Sequence, residues 1–254
     1  MNTTQSATPK KISLCIPMYN ENRIIADTAR TLHDYMSATF TDYEILFSND
    51  GSKDGCDKTV EALNLPRVRV VGYPDNHGKG CAVRTAMLAA DGDIVMFTDA
   101  DLAYGTDVIK QVYDAFMENP DVDLVIGSRN LHKDGYENYT FVRKVASKAY
   151  IKVLCLVGGF RLSDSQCGCK GYSGRAVQAI FPRCEVDGFA FDFESILWAT
   201  QLGMKIHETP VKVINHREST VRLFSDTCKM LADLRRMKKR IKRASTTPAE
   251  SERT

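Results

Sequence analysis

The stretch FTDADLAYG, residues 97–105, places Asp99 and Asp101 directly after the apolar run 94–97. A short apolar run bounded by polar residues predicts a buried strand, so this strand delivers two like charges to one point. Two carboxylates this close raise each other's pKa unless a cation or hydrogen-bond donors lie between them. Carboxylate oxygens suit Mg²⁺ or Mn²⁺, which commonly bind one or two carboxylates together with substrate phosphates. The pair alone fits an aspartate-rich turn equally well, and its place in the fold favours the metal.

Strand-like and helix-like patterns alternate on both sides of this stretch. Apolar runs predict strands at 12–16, 43–47, 68–71, 94–97, 122–126 and 205–213. Helical spacing predicts helices at 24–36, 59–63, 81–90, 108–117, 141–157, 173–181 and 191–202. Strands that alternate with helices indicate βαβ units, and hence an α/β fold with a mostly parallel sheet flanked by helices.

Polar segments follow each of the first five predicted strands. They are residues 19–21, 49–52, 76–80, 99–105 and 127–129. One such loop would be an ordinary turn. Ligands of open α/β sheets bind beyond the carboxyl ends of the strands, however, and five charged, polar loops on that rim favour a binding cleft of the nucleotide type.

The segment YPDNHGKG, residues 73–80, partly matches the phosphate-binding loop of NTPases. Five residues separate Gly72 from Gly78 where that motif has four, and Gly80 replaces the hydroxyl residue that binds metal. Both differences argue against an NTPase. The backbone N–H groups at the start of the following helix still suit an anion.

The 254 residues suffice for one large α/β domain, and the net charge of +2 argues against a general polyanion binder. The N-terminus is polar and lacks the apolar core of a signal peptide, and no run approaches the roughly 18 apolar residues of a membrane span. With eight cysteines scattered along the chain, these features predict a cytoplasmic protein with reduced thiols. Cys167 and Cys169 are separated by one residue, and the chain has no second cysteine pair that would complete a zinc site with them.

The C-terminal region predicts a basic amphipathic helix. Between Lys229 and Arg243 there are eight Lys or Arg residues, and Met230, Leu234, Met237 and Ile241 form one apolar stripe. We therefore expect a domain at 10–228, followed by a basic helix and a disordered tail at 229–254. Such a helix can lie on anionic lipid headgroups or pack its stripe on the domain, and both readings fit the pattern. Without interleaved aromatic residues it is a poor match for nucleic acid.

The order of several motifs resembles that of the inverting glycosyltransferases of family 2, which have the Rossmann-like GT-A fold. These motifs are IPMYNE, SNDGSKDG, NHGKGCAVRTAM, DGDIVMFTDAD and GSRN. The downstream stretches SDSQCGCKGYS and GFAFDFESILWA are similar to the polyprenyl-phosphate sugar transferases of that family, dolichyl-phosphate β-glucosyltransferases in particular. The resemblance, over roughly residues 11–225, implies an enzyme that moves a hexose, glucose from UDP-glucose, onto dolichyl or polyprenyl phosphate.

The resemblance also implies roles for individual residues. The nucleotide pocket would be lined by Pro17, Tyr19, Glu21, Asn49, Asp50, Gly78, Lys79, Asp99 and Ala100. Asp99 and Asp101 would hold Mg²⁺ or Mn²⁺ on the diphosphate. Asn49 stands where the family usually has an aspartate. Ala103 replaces a glutamine that can complete the metal shell in mannosyl members, whereas a small residue is familiar in glucosyl relatives.

A second group of residues would bind the acceptor and the donor sugar. Arg129, Arg143 and Ser147 resemble an acceptor-phosphate clamp, and arginine suits phosphate because its planar fork donates two parallel hydrogen bonds. Residues near the donor sugar and diphosphate would be Asp164, Gln166, Glu194, Arg217, Ser219 and Arg222. Glu194 fits a structural partner of a buried arginine equally well.

The expected mechanism depends on the acceptor. A phosphate monoester has a second pKa of about 6, so it attacks as an anion without a strong base. A hydroxyl acceptor would need a base, for which Asp192 is the first candidate. The alternatives are therefore a family 2 enzyme acting on a hydroxyl of a cell-surface glycan, a mannosyl-type transferase using a GDP-sugar, or a non-catalytic nucleotide-sugar-binding subunit. We expect a peripheral protein on the cytoplasmic face of a membrane, alone or with a membrane-spanning partner protein.

Overall fold

The computed structural model describes residues 9–134, 151–214 and 234–244. Within these ranges the chain forms one seven-stranded sheet with helices on both faces. The strands are β1 (Ile12–Met18), β2 (Tyr43–Asp50), β3 (Val68–Tyr73), β4 (Ile94–Thr98), β5 (Leu124–Ser128), β6 (Cys169–Ser173) and β7 (Ile206–Pro210). The helices are α1 (Ile25–Thr39), α2 (Cys56–Ala62), α3 (Lys79–Ala89), α4 (Asp107–Glu118), α5 (151–158), α6 (Gly174–Ile180), α7 (Phe191–Gln201) and α8 (234–244), with a 3₁₀ turn at Phe181–Arg183.

The sheet is mostly parallel, as predicted. Its strand order is β3-β2-β1-β4-β6-β5-β7, and β6 alone among these strands runs antiparallel to its two neighbours. The carboxyl ends of the parallel strands β1, β2, β4 and β5 consequently share one rim, which carries the polar loops that follow them. The strand β6 was not predicted from the sequence.

Alternating side chains of the central strands build two core layers, one on each face of the sheet. Leu14 and Ile16 of β1 face the layer that includes α1, α2 and α4. Cys15 of the same strand faces the other layer, which includes α3, α6 and α7. Both layers are closed to solvent, so the sheet is a rigid platform beneath the rim.

The basic C-terminal helix belongs to this domain. Leu234, Met237 and Ile241 of α8 are buried in the same core layer as α7. Of the two readings of the apolar stripe, packing on the domain is therefore the one observed for these three residues, whereas Met230 and the predicted tail from 245 lie outside the described residues. None of the described helices combines the length and apolar character needed to cross a bilayer.

Candidate active site

The turn after β4 presents the two aspartates at the rim. Leu102 adopts a left-handed backbone conformation with φ of 51°, which bends the chain back immediately after Asp101. Asp101 Oδ1 accepts a hydrogen bond from the backbone N–H of Ala103 (3.1 Å). Thr28 Oγ1 of α1 donates to the carbonyl oxygen of Ala100 (2.8 Å). The turn is thus fixed by its own backbone and by a neighbouring helix.

A lysine and a glycine define the surroundings of Asp99. Lys79 Nζ, at the start of α3, donates to Asp99 Oδ1 at 2.5 Å. A Cβ atom at Gly168 would lie 2.3 Å from Asp99 Oδ2, so only glycine leaves room for the carboxylate there. Burial by itself lowers the pKa of Lys79, but the charges of Asp99 and Asp192 outweigh it and the net pKa is raised. A cation is therefore stabilised beside Asp99.

The donor set fits a hard divalent cation bound jointly with substrate. Asp99 and Asp101 supply carboxylate oxygens, and the described residues contain no cluster of three or more His, Cys, Asp or Glu side chains that could hold a metal ion. Two carboxylates with the remaining ligands taken from phosphates and water is the usual arrangement for Mg²⁺. The ammonium group of Lys79 shows that this position already favours positive charge.

A third aspartate, Asp192, acts on Lys79 together with Asp99 and is held by a second lysine, Lys170. Lys170 Nζ, on β6, donates to Asp192 Oδ1 (2.5 Å) and to the carbonyl oxygen of Cys167 (2.7 Å), and the Lys170 side chain is fully buried. Burial raises the pKa of Asp192, while the charges of Lys170 and Lys79 act in the opposite direction. Asp192 and Asp99 thus share a field with two lysines at one end of the sheet.

Arg129 is held rigidly at the end of β5. Its Nε donates to Asp164 Oδ2 (2.6 Å) and its Nη2 to Asp164 Oδ1 (3.0 Å). Asp164 is fully buried and also accepts from the backbone N–H of Gln166 (3.2 Å). The position of Asp164 beside the donor sugar stays a prediction, and its two oxygens accept from Arg129 and from the backbone. Tyr104 OH accepts from the backbone N–H of Gly168 (3.2 Å), the residue that lies against Asp99.

Asp50 organises the loop that leads to Lys79. Its carboxylate accepts from Tyr73 OH (2.7 Å), Asn76 Nδ2 (2.8 Å) and the backbone N–H groups of His77 (2.9 Å) and Gly78 (3.0 Å). Asp50 thus fixes the loop of residues 73–78, which borders the predicted nucleotide pocket.

The backbone N–H groups at the start of α3 are also committed within the protein. Gly80 N (2.7 Å) and Cys81 N (3.2 Å) both donate to the carbonyl oxygen of Asp187. This differs from the expected anion site at that helix start, because a carbonyl oxygen already occupies the two donors. Asn49 Oδ1 likewise accepts from the N–H of Ser52 (2.9 Å) and stabilises the turn after β2.

Glu194 has the structural role that the sequence left open. It is fully buried on α7, forms an ion pair with Arg240 of α8, and accepts from the N–H groups of Glu185 (2.9 Å) and Val186 (2.8 Å). A carboxylate enclosed by these partners does not face a donor sugar. Glu194 therefore ties α8 to the helix that carries Asp192.

The remaining predicted residues divide into two groups. Tyr19 is 48% exposed at the end of β1, with the half-buried Pro17 and Glu21 on either side of it, as a pocket wall requires. Five predicted residues lie outside the described ranges, namely Arg143, Ser147, Arg217, Ser219 and Arg222.

Three residues of the site were missed by sequence reasoning: Tyr104, Gly168 and Lys170. A signal existed for Lys170, since it lies between Cys169 and Gly171 in a stretch that resembles a family motif, and a lysine is almost never fully buried unless it is paired. Gly168 and Tyr104 carried no such signal, because their roles depend on contacts between distant segments.

A comparison of the sequence with known protein families identifies the family of this chain. The profile of Glycosyl transferase family 2 matches residues 13–181, more than half of the chain. The chain belongs to glycosyltransferase family 2. As a member of this family it is a glycosyltransferase, and the resemblance found in its motifs is confirmed.

Relatives within family 2 narrow the resemblance. A dolichyl-phosphate β-glucosyltransferase of Trichomonas vaginalis is 31% identical over 234 residues, which cover 88% of this chain and 71% of that protein. The dolichyl-phosphate β-glucosyltransferase of Saccharomyces cerevisiae is 28% identical over 242 residues, 88% of this chain and 72% of that protein.

Solved structures confirm the predicted GT-A fold. Glucosyl-3-phosphoglycerate synthase of Mycobacterium tuberculosis in complex with UDP aligns with a TM-score of 0.67 and 20% identity, covering 91% of this chain and 80% of that one. The same enzyme in complex with Mn²⁺, UDP and phosphoglyceric acid aligns with a TM-score of 0.66 and 18% identity, covering 94% and 80%. At these identities the likeness concerns the fold alone.

Proposed function

We propose that this family 2 enzyme transfers glucose from UDP-glucose to dolichyl or a related polyprenyl phosphate, with inversion at the anomeric carbon. One observation carries the proposal: the rim that presents the Asp99–Asp101 pair also holds an arginine, Arg129, that Asp164 fixes in one orientation. In the proposed reaction the anomeric carbon forms a bond to the acceptor phosphate while its bond to the diphosphate breaks, so two anionic groups meet in the site. A carboxylate pair that could hold a divalent cation and a fixed guanidinium would supply the positive charge for these two groups. Relatives named for dolichyl-phosphate glucosylation support the choice of substrates.

Asp99 and Asp101 would hold Mg²⁺ or Mn²⁺ together with the diphosphate of the donor. When bound, such a cation neutralises the charge that develops on the leaving group. If Asp99 binds a cation, Lys79 would give up its hydrogen bond to Asp99 Oδ1, and its ammonium group would be available to phosphate oxygens of the donor. A neighbour of the same fold was crystallised with Mn²⁺ and UDP, which supports the proposal of a divalent cation as cofactor.

Arg129 would position the acceptor. A phosphate monoester with a second pKa of about 6 is largely a dianion at neutral pH, so no proton has to be removed before attack. The two hydrogen bonds that Arg129 donates to Asp164 fix the plane of the guanidinium, and a planar group held in one orientation is suited to phosphate oxygens. Arg143 and Ser147 remain predicted partners in this clamp.

A hydroxyl acceptor is the second candidate, favoured by one observation. Burial raises the pKa of Asp192, which makes its carboxylate a better base than an exposed aspartate. Lys170 counteracts this effect by donating directly to Asp192 Oδ1. A carboxylate held by a buried lysine is better suited to orient the donor than to accept a proton, so the phosphate acceptor fits the site better.

Contact with a membrane would be electrostatic. The stripe of α8 is buried in the core, whereas Arg235, Arg236, Lys238, Lys239, Lys242 and Arg243 are exposed on its other faces. Each Lys or Arg near an anionic lipid surface contributes about 1 kcal/mol. We propose that this basic face brings the protein to the cytoplasmic surface of a membrane, where a polyprenyl acceptor resides.

A matrix of donors and acceptors tests the function. UDP-glucose and GDP-mannose would each be offered with polyprenyl phosphate, with polyprenol and with a glycan acceptor, in the presence of Mg²⁺ or Mn²⁺. We expect a glucosylated lipid phosphate only with UDP-glucose and polyprenyl phosphate. Transfer to polyprenol or to the glycan at a comparable rate would replace the proposed acceptor, and transfer from GDP-mannose would replace the proposed donor.

A further inference from the structure

A glutamate on β7, Glu208, accepts four hydrogen bonds from one turn of the chain. Glu208 Oε1 accepts from Ser163 N–H (2.8 Å), Ser163 Oγ (2.7 Å) and Asp164 N–H (3.1 Å), and its Oε2 accepts from Ser163 N–H as well (3.0 Å). Glu208 pairs with Ile126 of β5 in the sheet, only three residues before Arg129. Its carboxylate thus caps the Ser163–Asp164 turn from the strand next to the arginine.

The Ser163–Asp164 turn is attached to β5 as well. Ser163 Oγ lies 2.5 Å from Ser128 Oγ, and Asn130 Nδ2 donates to the carbonyl oxygen of Ser163 (2.6 Å). These contacts surround Arg129 in sequence, on both sides. The turn is therefore fixed to β7 through Glu208 and to the end of β5 through two polar side chains.

The Ser163–Asp164 turn determines where Arg129 points. Asp164 is fully buried, and both of its oxygens accept from the Arg129 side chain. A two-bond fork transmits a rotation of the carboxylate directly to the guanidinium plane. Without Glu208, the N–H groups of Ser163 and Asp164 lose their acceptor, and the turn has no charged anchor on the β7 side.

We propose that Glu208 is a positioning residue: it fixes the Ser163–Asp164 turn and thereby orients Arg129 for the acceptor phosphate. This inference rests on the proposed function for the identity of the group that Arg129 contacts. It assigns Glu208 no contact with substrate. Its effect should consequently appear in the use of the acceptor and be absent from the binding of the donor nucleotide.

Glu44 offers a matched control at the opposite end of the sheet. It is a buried glutamate on β2 that accepts four hydrogen bonds: from Ser13 Oγ (2.6 Å), Asp91 N–H (3.0 Å), Arg69 Nε (3.2 Å) and Arg69 Nη2 (3.1 Å). Glu44→Ala removes as many hydrogen bonds as Glu208→Ala, but far from the rim. A purely structural glutamate should lower thermal stability without changing either Michaelis constant.

The test compares the two glutamates by steady-state kinetics with UDP-glucose and polyprenyl phosphate, and by UDP binding. For Glu208→Ala we expect the KM for polyprenyl phosphate to rise about tenfold, as for the loss of a charged hydrogen-bond network, with UDP affinity unchanged. Glu208→Gln should recover most of this loss, because an amide oxygen in the place of Oε1 keeps the three bonds made there. Ser163→Ala, a milder change, should show a smaller shift in the same direction if Glu208→Ala folds poorly.

A spectroscopic measurement separates this proposal from the proposed function. The Arg129 Nε–H resonance, assigned by its loss in Arg129→Lys, reports the fork with Asp164 and needs no substrate. It should shift and exchange faster with solvent in Glu208→Ala and stay in place in Glu44→Ala. Unchanged acceptor KM and Arg129 resonance in Glu208→Ala and Ser163→Ala would overturn the positioning role. If the wild-type protein transfers no sugar to polyprenyl phosphate, the proposed function fails, and the resonance alone decides the role of Glu208.

Discussion

Strand β4 carries an aspartate pair at each end, and the two pairs have the same spacing. Asp91 and Asp93 precede the strand, whereas Asp99 and Asp101 follow it. Asp91 forms an ion pair with Lys11 while its own side chain is 70% exposed, and Asp93 Oδ2 accepts from the N–H of Lys11 (2.9 Å). The first pair is thus exposed to solvent and holds Lys11, the residue directly before β1.

The second pair lies among other strand ends. Asp99 is only 30% exposed, contacts Lys79 and shares a field with Asp192. A charge that is partly withdrawn from water interacts more strongly with its neighbours than an exposed, screened one. The spacing of two aspartates therefore does not by itself predict a metal site. The proposal of a metal at Asp99 and Asp101 rests on their position beyond the carboxyl end of a parallel strand.

Substitution of single aspartates should separate the two pairs most widely. Asp101→Asn should keep the fold and lower transfer by at least about 100-fold, because a neutral amide binds a divalent cation poorly and even outer residues of metal sites cost 10–100-fold. The matched change Asp93→Asn should leave transfer within about twofold, as expected for a surface position. Steady-state rates with excess Mg²⁺ measure both.

Chelation provides the control for this contrast. Wild-type activity should disappear in excess EDTA and return with added Mg²⁺ or Mn²⁺. Near-normal transfer by folded Asp101→Asn in excess EDTA would show that the rim pair holds no cation, and the comparison between the two pairs would lose its chemical meaning.

A pair of lysines sharpens the comparison between buried and exposed charge. Lys170→Met leaves Asp192 buried without its partner and should lower the free energy of unfolding by about 3–5 kcal/mol. Lys205→Met removes an exposed partner of Asp121 at 3.0 Å and should cost less than about 1 kcal/mol. Denaturant unfolding at pH 7 measures both, and equal losses would contradict the burial argument.

The same variant predicts a dependence on pH. Burial raises the pKa of Asp192, and removal of Lys170 takes away a charge that lowers it. When the pKa of a carboxyl is higher in the folded than in the unfolded protein, the free energy of unfolding falls as the pH rises from the unfolded to the folded pKa. The reason is that the folded protein keeps the proton to a higher pH. The deficit of Lys170→Met relative to wild type should therefore narrow as the pH falls from 7 towards about 4, near the unfolded pKa of an aspartate.

The smallest expected effect is on membrane binding, and it compares the exposed basic face of α8 with exposed lysines on α2 and α4. Arg235→Gln with Lys239→Gln removes two exposed charges from α8 without touching its buried stripe, and should weaken binding to anionic vesicles by about 2 kcal/mol, roughly 30-fold. Lys58→Gln with Lys110→Gln, exposed on the side of α2 and α4, should change binding little. Vesicle co-sedimentation at low salt measures both, and equal binding by all three proteins would place the membrane contact elsewhere.

The fold was predictable where the pattern is local. Five strands and their helices in residues 12–126 follow from apolar runs and helical spacing. The parallel pairing of β1 with β2 and β4, and of β2 with β3, agrees with the predicted βαβ units. Strand β6 was missed because its sequence, Cys-Lys-Gly-Tyr-Ser, combines a buried lysine with a glycine and lacks branched residues. Gly171 is required there because a Cβ atom would lie 2.6 Å from Val112 of α4, a tertiary contact that no local pattern reveals.

The site was predictable only in part for the same reason. Motifs located Asp99, Asp101, Arg129 and Asp192 in the chain, since each adjoins a recognisable strand or helix. The partners that control them come from distant segments: Lys170 is 22 residues from Asp192, and Asp164 is 35 from Arg129. The strand order brings these distant residues together, and the distance between them along the sequence gives no sign of the contact.

The nature of the acceptor is the central claim, and a pair of rates tests it most directly. Transfer from UDP-glucose to polyprenyl phosphate would be measured for Arg129→Lys and Asp192→Asn, with UDP affinity as the control for folding. Arg129→Lys keeps the charge beside Asp164 but loses the planar fork, so transfer should fall by roughly tenfold to 100-fold, the equivalent of about 1.5–3 kcal/mol. Asp192→Asn should cost less, because an acceptor phosphate needs no base. Abolished transfer in Asp192→Asn beside intact transfer in Arg129→Lys would contradict the phosphate acceptor and identify a hydroxyl in its place.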